Sequence, residues 1–128
     1  MFMFGGIDQN GVQTNDLVWI TPDLKANGKN ISKKDGNYKP KGTPEVHFEA
    51  QVLQPEGRGP IGRSQHSAAF FKNFLVIYGG KNDAIFPSLK NVALNDLHLY
   101  DIASNRWAAL AIYGDIPESR WGHRLVSN

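Results

Sequence analysis

Four histidines, His47, His66, His98 and His123, are the side chains in this 128-residue sequence best suited to hold a metal or move a proton. Their separations of 19, 32 and 25 residues fit no short ligand spacing of the kind zinc sites use. The absence of cysteine removes thiolate metal sites, a thiol nucleophile and a disulfide framework. No Ser-His-Asp arrangement is legible, and no carboxylate pair recurs. Gly57-Arg58-Gly59-Pro60-Ile61-Gly62 spells G-x-G-x-x-G. A phosphate cradle needs a strand before that pattern and a helix opening at its end. Here a strand-like run follows, and Pro60 with residues 63–66 forms no amphipathic helix pattern. The glycines are expected to shape a loop, and no cofactor or metal is expected. Asn30-Ile31-Ser32 is a glycosylation sequon in a polar stretch, read as idle.

What remains is a recurring set. Pro60, Arg63 and His66 return as Pro117, Arg120 and His123, all at an offset of 57 residues. The elements that must position them are short. Residues 74–80, Phe-Leu-Val-Ile-Tyr-Gly-Gly, read as a buried strand ending in a glycine turn. Residues 1–6, Met-Phe-Met-Phe-Gly-Gly, repeat the device. After each comes a loop, then Asn-Asp and another strand: Asn15, Asp16 and residues 17–20, then Asn95, Asp96 and residues 97–101. Asp16 and Asp96 read as turn or loop-anchoring acids. Ser104-Asn105-Arg106-Trp107 is a turn leading into a tryptophan. A repeat of about 50 residues made of short strands is the mark of a propeller blade, in which each sheet is buried between its neighbours.

The ordered set Arg-x-x-His, apolar run, Gly-Gly, loop, Asn-Asp-Leu-x-Leu-Tyr-Asp, Asn-Arg-Trp, Pro-x-x-Arg resembles the Kelch repeat. Its matching positions are Gly5, Gly6, Asp16, Arg63, His66, Gly79, Gly80, Asp96, Tyr100, Trp107, Arg120 and His123. The resemblance implies an all-β propeller segment with four antiparallel strands per blade, acting as a non-catalytic platform for a protein or peptide. Residues 1–57 would be strands two to four of one blade, 58–113 a complete blade, and 114–128 the inner strand of the next. Phe48 stands where Trp107 stands in the second blade, and Trp107 is expected to pack between blades. His66 and His123 read as structural, bonding the backbone of a neighbouring strand. In such propellers the arginine stands near the channel mouth. Arg63 and Arg120 either tie blades together or reach out to acidic groups of a partner through the guanidinium fork. Arg58, Lys81 and Asn82 are further candidate partner contacts. The spacing of Trp107, Leu110, Gly114, Pro117 and Arg120 is similar to that of propellers in Kelch-containing Ser/Thr phosphatases, which leaves open a recruiting region of a larger enzyme.

Residues 21–46 break the pattern. Lys25, Lys29, Lys33, Lys34, Lys39 and Lys41 face few acids and few apolar residues. Such a stretch buries too little surface to offset its ordering entropy. It is read as an insertion between strands three and four, a solvated mobile loop or a basic interaction loop, at the end opposite Arg63. The 53–62 and 81–94 connections are expected at the Arg63 end. A net charge of +2 gives no argument for nucleic acid, and no apolar run approaches membrane-spanning length. The N-terminus reads as strand rather than leader, which with the missing cysteines fits a cytoplasmic or nuclear setting. The strand order leaves a blade without its inner strand and an inner strand without its blade, so a head-to-tail homo-oligomer is expected if the chain stands alone.

Overall fold

The computed structural model describes residues 1–23, 46–85 and 92–127. The basic stretch between Lys25 and Lys41, expected to be mobile, lies outside the described residues. So do residues 86–91 of the long loop of the second blade.

All described regular structure is strand, in two antiparallel sheets. The first holds β1 (Phe2–Phe4), β2 (Leu17–Pro22) and β3 (Phe48–Leu53) in that order. The second holds β4 (Ser67–Phe71), β5 (Phe74–Tyr78), β6 (Leu97–Asp101) and β7 (Arg106–Ala108), again in chain order. These are the partial and the complete propeller blade.

The register shows that the two sheets are the same object. Phe4 lies opposite Leu17 in the first, and Tyr78 opposite Leu97 in the second. Side chains alternate across each strand, so one face of the first blade presents Phe2, Phe4, Leu17 and Leu53. Against it the second blade sets Leu75, Ile77, Tyr100 and Trp107. Phe4, Leu17, Leu75, Ile77 and Tyr100 are buried there, and this is the core. Aromatic edges fix the fit: Phe4 meets Trp107 at 5.7 Å and Phe2 meets Tyr100 at 5.9 Å between ring centroids, both edge-on. Trp107 thus packs between blades.

Phe48 is not its counterpart. By register, Ala50 opposite Ile20 occupies the place that Trp107 holds opposite Tyr100. Phe48 sits at the far end of its strand, 62% exposed. Other boundaries also move. β2 continues through Thr21 and Pro22, paired with Glu49 and Phe48, so two residues assigned to the insertion belong to the sheet. β3 starts at Phe48, and β7 spans Arg106 to Ala108. Residues 114–127 form no ladder among the described residues. They meet the second blade where Tyr78 Oη donates to the carbonyls of Pro117 and Glu118 at 3.0 and 3.1 Å. The Ser67 hydroxyl also donates to the His123 carbonyl.

Candidate binding face

The Gly-Gly turns sit at one end of both blades, and the chain uses them twice in the same way. Gly6 N–H donates to the Arg63 carbonyl at 2.8 Å, and Gly80 N–H to the Arg120 carbonyl at 2.8 Å. Arg63 N–H donates to Thr14, and Arg120 N–H to Leu94. Gly5 N–H reaches the Asp16 carbonyl, and Gly79 N–H that of Asp96. Only glycine fits the first turn position. Gly5 and Gly79 have φ of +63° and +68°, and a Cβ on either would lie 2.6 Å from the carbonyl oxygen of Arg63 or Arg120.

Arg63 has no exposed surface. Its guanidinium forks onto Asp96 with two bonds of 2.7 Å, and also donates to the Gly79 and Ile61 carbonyls. Its backbone is bonded to the first blade and its side chain to the second, so one residue locks the joint. With no exposed surface and four guanidinium N–H groups already bonded, Arg63 drops out of the candidate partner contacts. Asp96 also accepts from His98 Nε2 at 2.7 Å. Burial pushes the Asp96 carboxyl up, but the bonds from Arg63 and His98 and their charges outweigh it and hold it well below the usual carboxylate range.

His66 stacks edge-on against Phe4, and His123 against Tyr78, at 5.5 and 5.3 Å. Burial, then the charge of Arg63, lowers the basicity of His66, with the Phe4 carbonyl opposing. His123 is lowered by burial and Arg120, opposed by the Tyr78 carbonyl. Among the described residues neither ring nitrogen of His123 reaches a hydrogen-bond partner, so the bond expected from this ring to a neighbouring strand's backbone is not made there. Among the described residues no group of three or more metal-ligating side chains comes together.

One polar contact crosses between the loops of the two blades, and a second steadies the loop of the second blade. Gln13 Nε2 donates to Asp83 at 2.8 Å, and Asn82 Nδ2 to the Gly62 carbonyl at 2.5 Å. Lys81 is half-buried and lies 3.6 Å from Asp83. Asn82 also caps the Ala84 N–H, so it serves the loop as much as the rim. Gln13 and Asp83 carried no repeating signal in the sequence and could not be singled out there, while His98 was singled out only as a histidine and not as a partner of Asp96. Arg58 is exposed, but lies elsewhere. Its loop runs beside β7, where Glu56 exchanges backbone bonds with Asn105 and Trp107, and Gly57 and Gly59 press on the Trp107 ring and backbone. The 54–57 connection therefore covers the outer edge of the second blade, while Gly62 returns to the Gly-Gly end. Pro22 and Phe48, which flank the basic stretch, lie at the opposite end of the first blade.

The whole chain, residues 1–128, matches the family described as the KLHDC2/KLHL20/DRC7 Kelch-repeats domain. It is 34% identical to human host cell factor 1 over 80 residues, which is 56% of this chain and 4% of that protein. It is 33% identical to Drosophila melanogaster host cell factor over 67 residues, 52% of this chain and 4% of that protein. It is 32% identical to the Rho GTPase-activating protein gacHH of Dictyostelium discoideum over 108 residues, 84% of this chain and 5% of that protein. The chain thus spans 5% or less of the length of these relatives.

Proposed function

We propose a non-catalytic protein-docking role for this chain, which belongs to the KLHDC2/KLHL20/DRC7 Kelch-repeats domain family. The observation that carries the reading is the contact across the blades from Gln13 to Asp83, beside which Asn82 holds the connection at Gly62. They hold the loops behind both Gly-Gly turns as one preorganised rim, which lowers the ordering cost of binding a peptide. Asp8, Asp83 and Arg120 are exposed on that rim.

The test is selection of binding peptides from a random displayed library, followed by fluorescence anisotropy on variants. Asp8→Lys and Asp83→Lys at the Gly-Gly end should each weaken binding about tenfold or more. Asn73→Lys and Ser104→Lys, exposed at the other end, should change it by less than about twofold. Equal losses at both ends would refute the assignment.

A second reading is a recruiting region within a larger regulator or enzyme. It is supported by the extent of the match to a Rho GTPase-activating protein. The spacing from Trp107 to Arg120 keeps a Ser/Thr phosphatase among the possible carriers. A phosphatase assay on the longest natural polypeptide containing this sequence separates that carrier from the others.

A further inference from the structure

The seam between the two blades at the Gly-Gly end has described residues on both sides, and its hydrogen bonds leave one kind of group unused. Gln13 comes from the first blade and is only 8% exposed. Its Nε2 donates to Asp83 Oδ2 at 2.8 Å. An ionised carboxylate only accepts, so the nitrogen is the end of the amide that faces Asp83. The other end, Gln13 Oε1, meets no donor among the described residues and keeps contact with solvent. Asp83 Oδ1 also meets no donor there, on a side chain 48% exposed. Lys81 Nζ stands 3.6 Å from Oδ2, beyond hydrogen-bond reach, and at 16% exposure it lies deeper than the carboxylate.

The polar donors beside them are engaged. Asn82 Nδ2 is bonded to the Gly62 carbonyl, the Lys81 N–H to the Ser64 carbonyl and the Ala84 N–H to Asn82 Oδ1. What the seam offers is therefore a pair of acceptors, one of them anionic. The pair is held in place in advance. Gln13 and Asp83 fix each other, and a Cβ on Gly62 would lie 2.2 Å from the Gln13 carbonyl oxygen, so the connection between the blades is pressed against the first-blade loop. Val12, Ile61 and Ile85 flank these contacts in sequence and are 53%, 46% and 39% exposed.

We propose that this seam takes an arginine side chain of the docked peptide. Its guanidinium would donate to Asp83 Oδ1 and Gln13 Oε1, and its methylene stem would lie along the aliphatic rim. The inference rests on the peptide-docking reading and names the chemistry of the ligand. Arginine fits because it carries several donors in a planar fork and no acceptor, and is more weakly hydrated than an ammonium. An acidic side chain would meet two acceptors and like charge, which selects against it. The bond between Gln13 and Asp83 limits the side-chain freedom still to be lost on binding.

The test uses the longest natural polypeptide containing this sequence. Peptides selected on it from a random displayed library should be enriched in arginine. Fluorescence anisotropy then compares a selected peptide with its citrulline counterpart, which keeps the shape of arginine without the charge. Citrulline should weaken binding about tenfold or more, as expected for loss of a hydrogen bond between charged groups. Asp83→Asn is nearly isosteric. It should weaken the arginine peptide by a similar factor and the citrulline peptide by less than about twofold, because both changes remove the same interaction. Retained binding of the citrulline peptide also shows that the variant is folded. Selected peptides no richer in arginine than the library would overturn the proposal. So would equal affinity for arginine and citrulline, or equal losses for both peptides on Asp83→Asn. Peptides without arginine that bind, and lose affinity with Asp8→Lys, would overturn this inference and leave the docking reading standing. A library that yields no binder would overturn both.

Discussion

Arg63 shows what one side chain does when burial and chemistry agree. A buried guanidinium is tolerated only when its charge is paired and its donors are used, and here Asp96 and two carbonyls use them. Arg63→Ala should therefore cost about 3 kcal/mol in urea unfolding, the low end for breaking a buried pair, because Asp96 is 41% exposed and regains water. Arg63→Lys should recover only part of this, since an ammonium cannot fork onto both carboxylate oxygens. The pH dependence has a definite sign. The folded-state affinity of Asp96 for protons is lowered, so its stabilisation is present above about pH 4 and lost as the pH falls below it. The urea midpoint of wild type should fall progressively as the pH drops below about 4, and that of Arg63→Ala should fall less. The sequence presented Arg63 and Asp96 as repeat positions 33 residues apart but not as partners. Pairing over that distance is set by the sheet, and no local pattern reports it.

At the level of elements, the strand Phe74–Tyr78 ended by Gly-Gly was legible to the residue, and its counterpart to within one residue, because an apolar run and a positive-φ turn are both local. Edges were not. The start of β3 and the end of β2 depend on each other's hydrogen bonds, so Thr21 and Pro22 joined a strand that their composition did not announce. The cover over β7 was equally hidden. Glu56 pairs with Arg106 both by backbone and by a 2.7 Å ion pair, which blunts an edge that would otherwise be open. Gly59 allows this cover to lie flat on Trp107, since a Cβ there would stand 2.5 Å from the indole nitrogen. Gly59→Val should push the loop off the ring. The expected readout is a red shift and quenching of tryptophan emission, with a loss of stability of about 1–3 kcal/mol, the range for overpacking. A variant with unchanged emission would show that the ring, and not the loop, gives way.

The molecule as a whole is a joint used twice, with a histidine ring in each copy. His66 lies between Phe4 of one blade and Arg63 of the next, and His123 repeats this against Tyr78 and beside Arg120. Both rings are made harder to protonate, chiefly by burial and then by the neighbouring arginine. The unfolded chain therefore takes up these protons first as the pH falls. Stability from the joint is complete above about pH 6.5 and declines below it. This decline lies at higher pH than the loss from Asp96, so the two are separable in one titration of the urea midpoint. His66→Phe keeps an aromatic ring against Phe4 and carries no proton. It should flatten the part of the profile between about pH 7 and pH 5 while leaving the acid limb below about pH 4 in place. If the upper limb survives in His66→Phe and also in His123→Phe, the joint is not what titrates there. The equivalence of the two histidines could be read from their common offset to the arginines, but their lowered basicity could not. That follows from the packing of one blade against the next, which appears only when the sheets are set face to face.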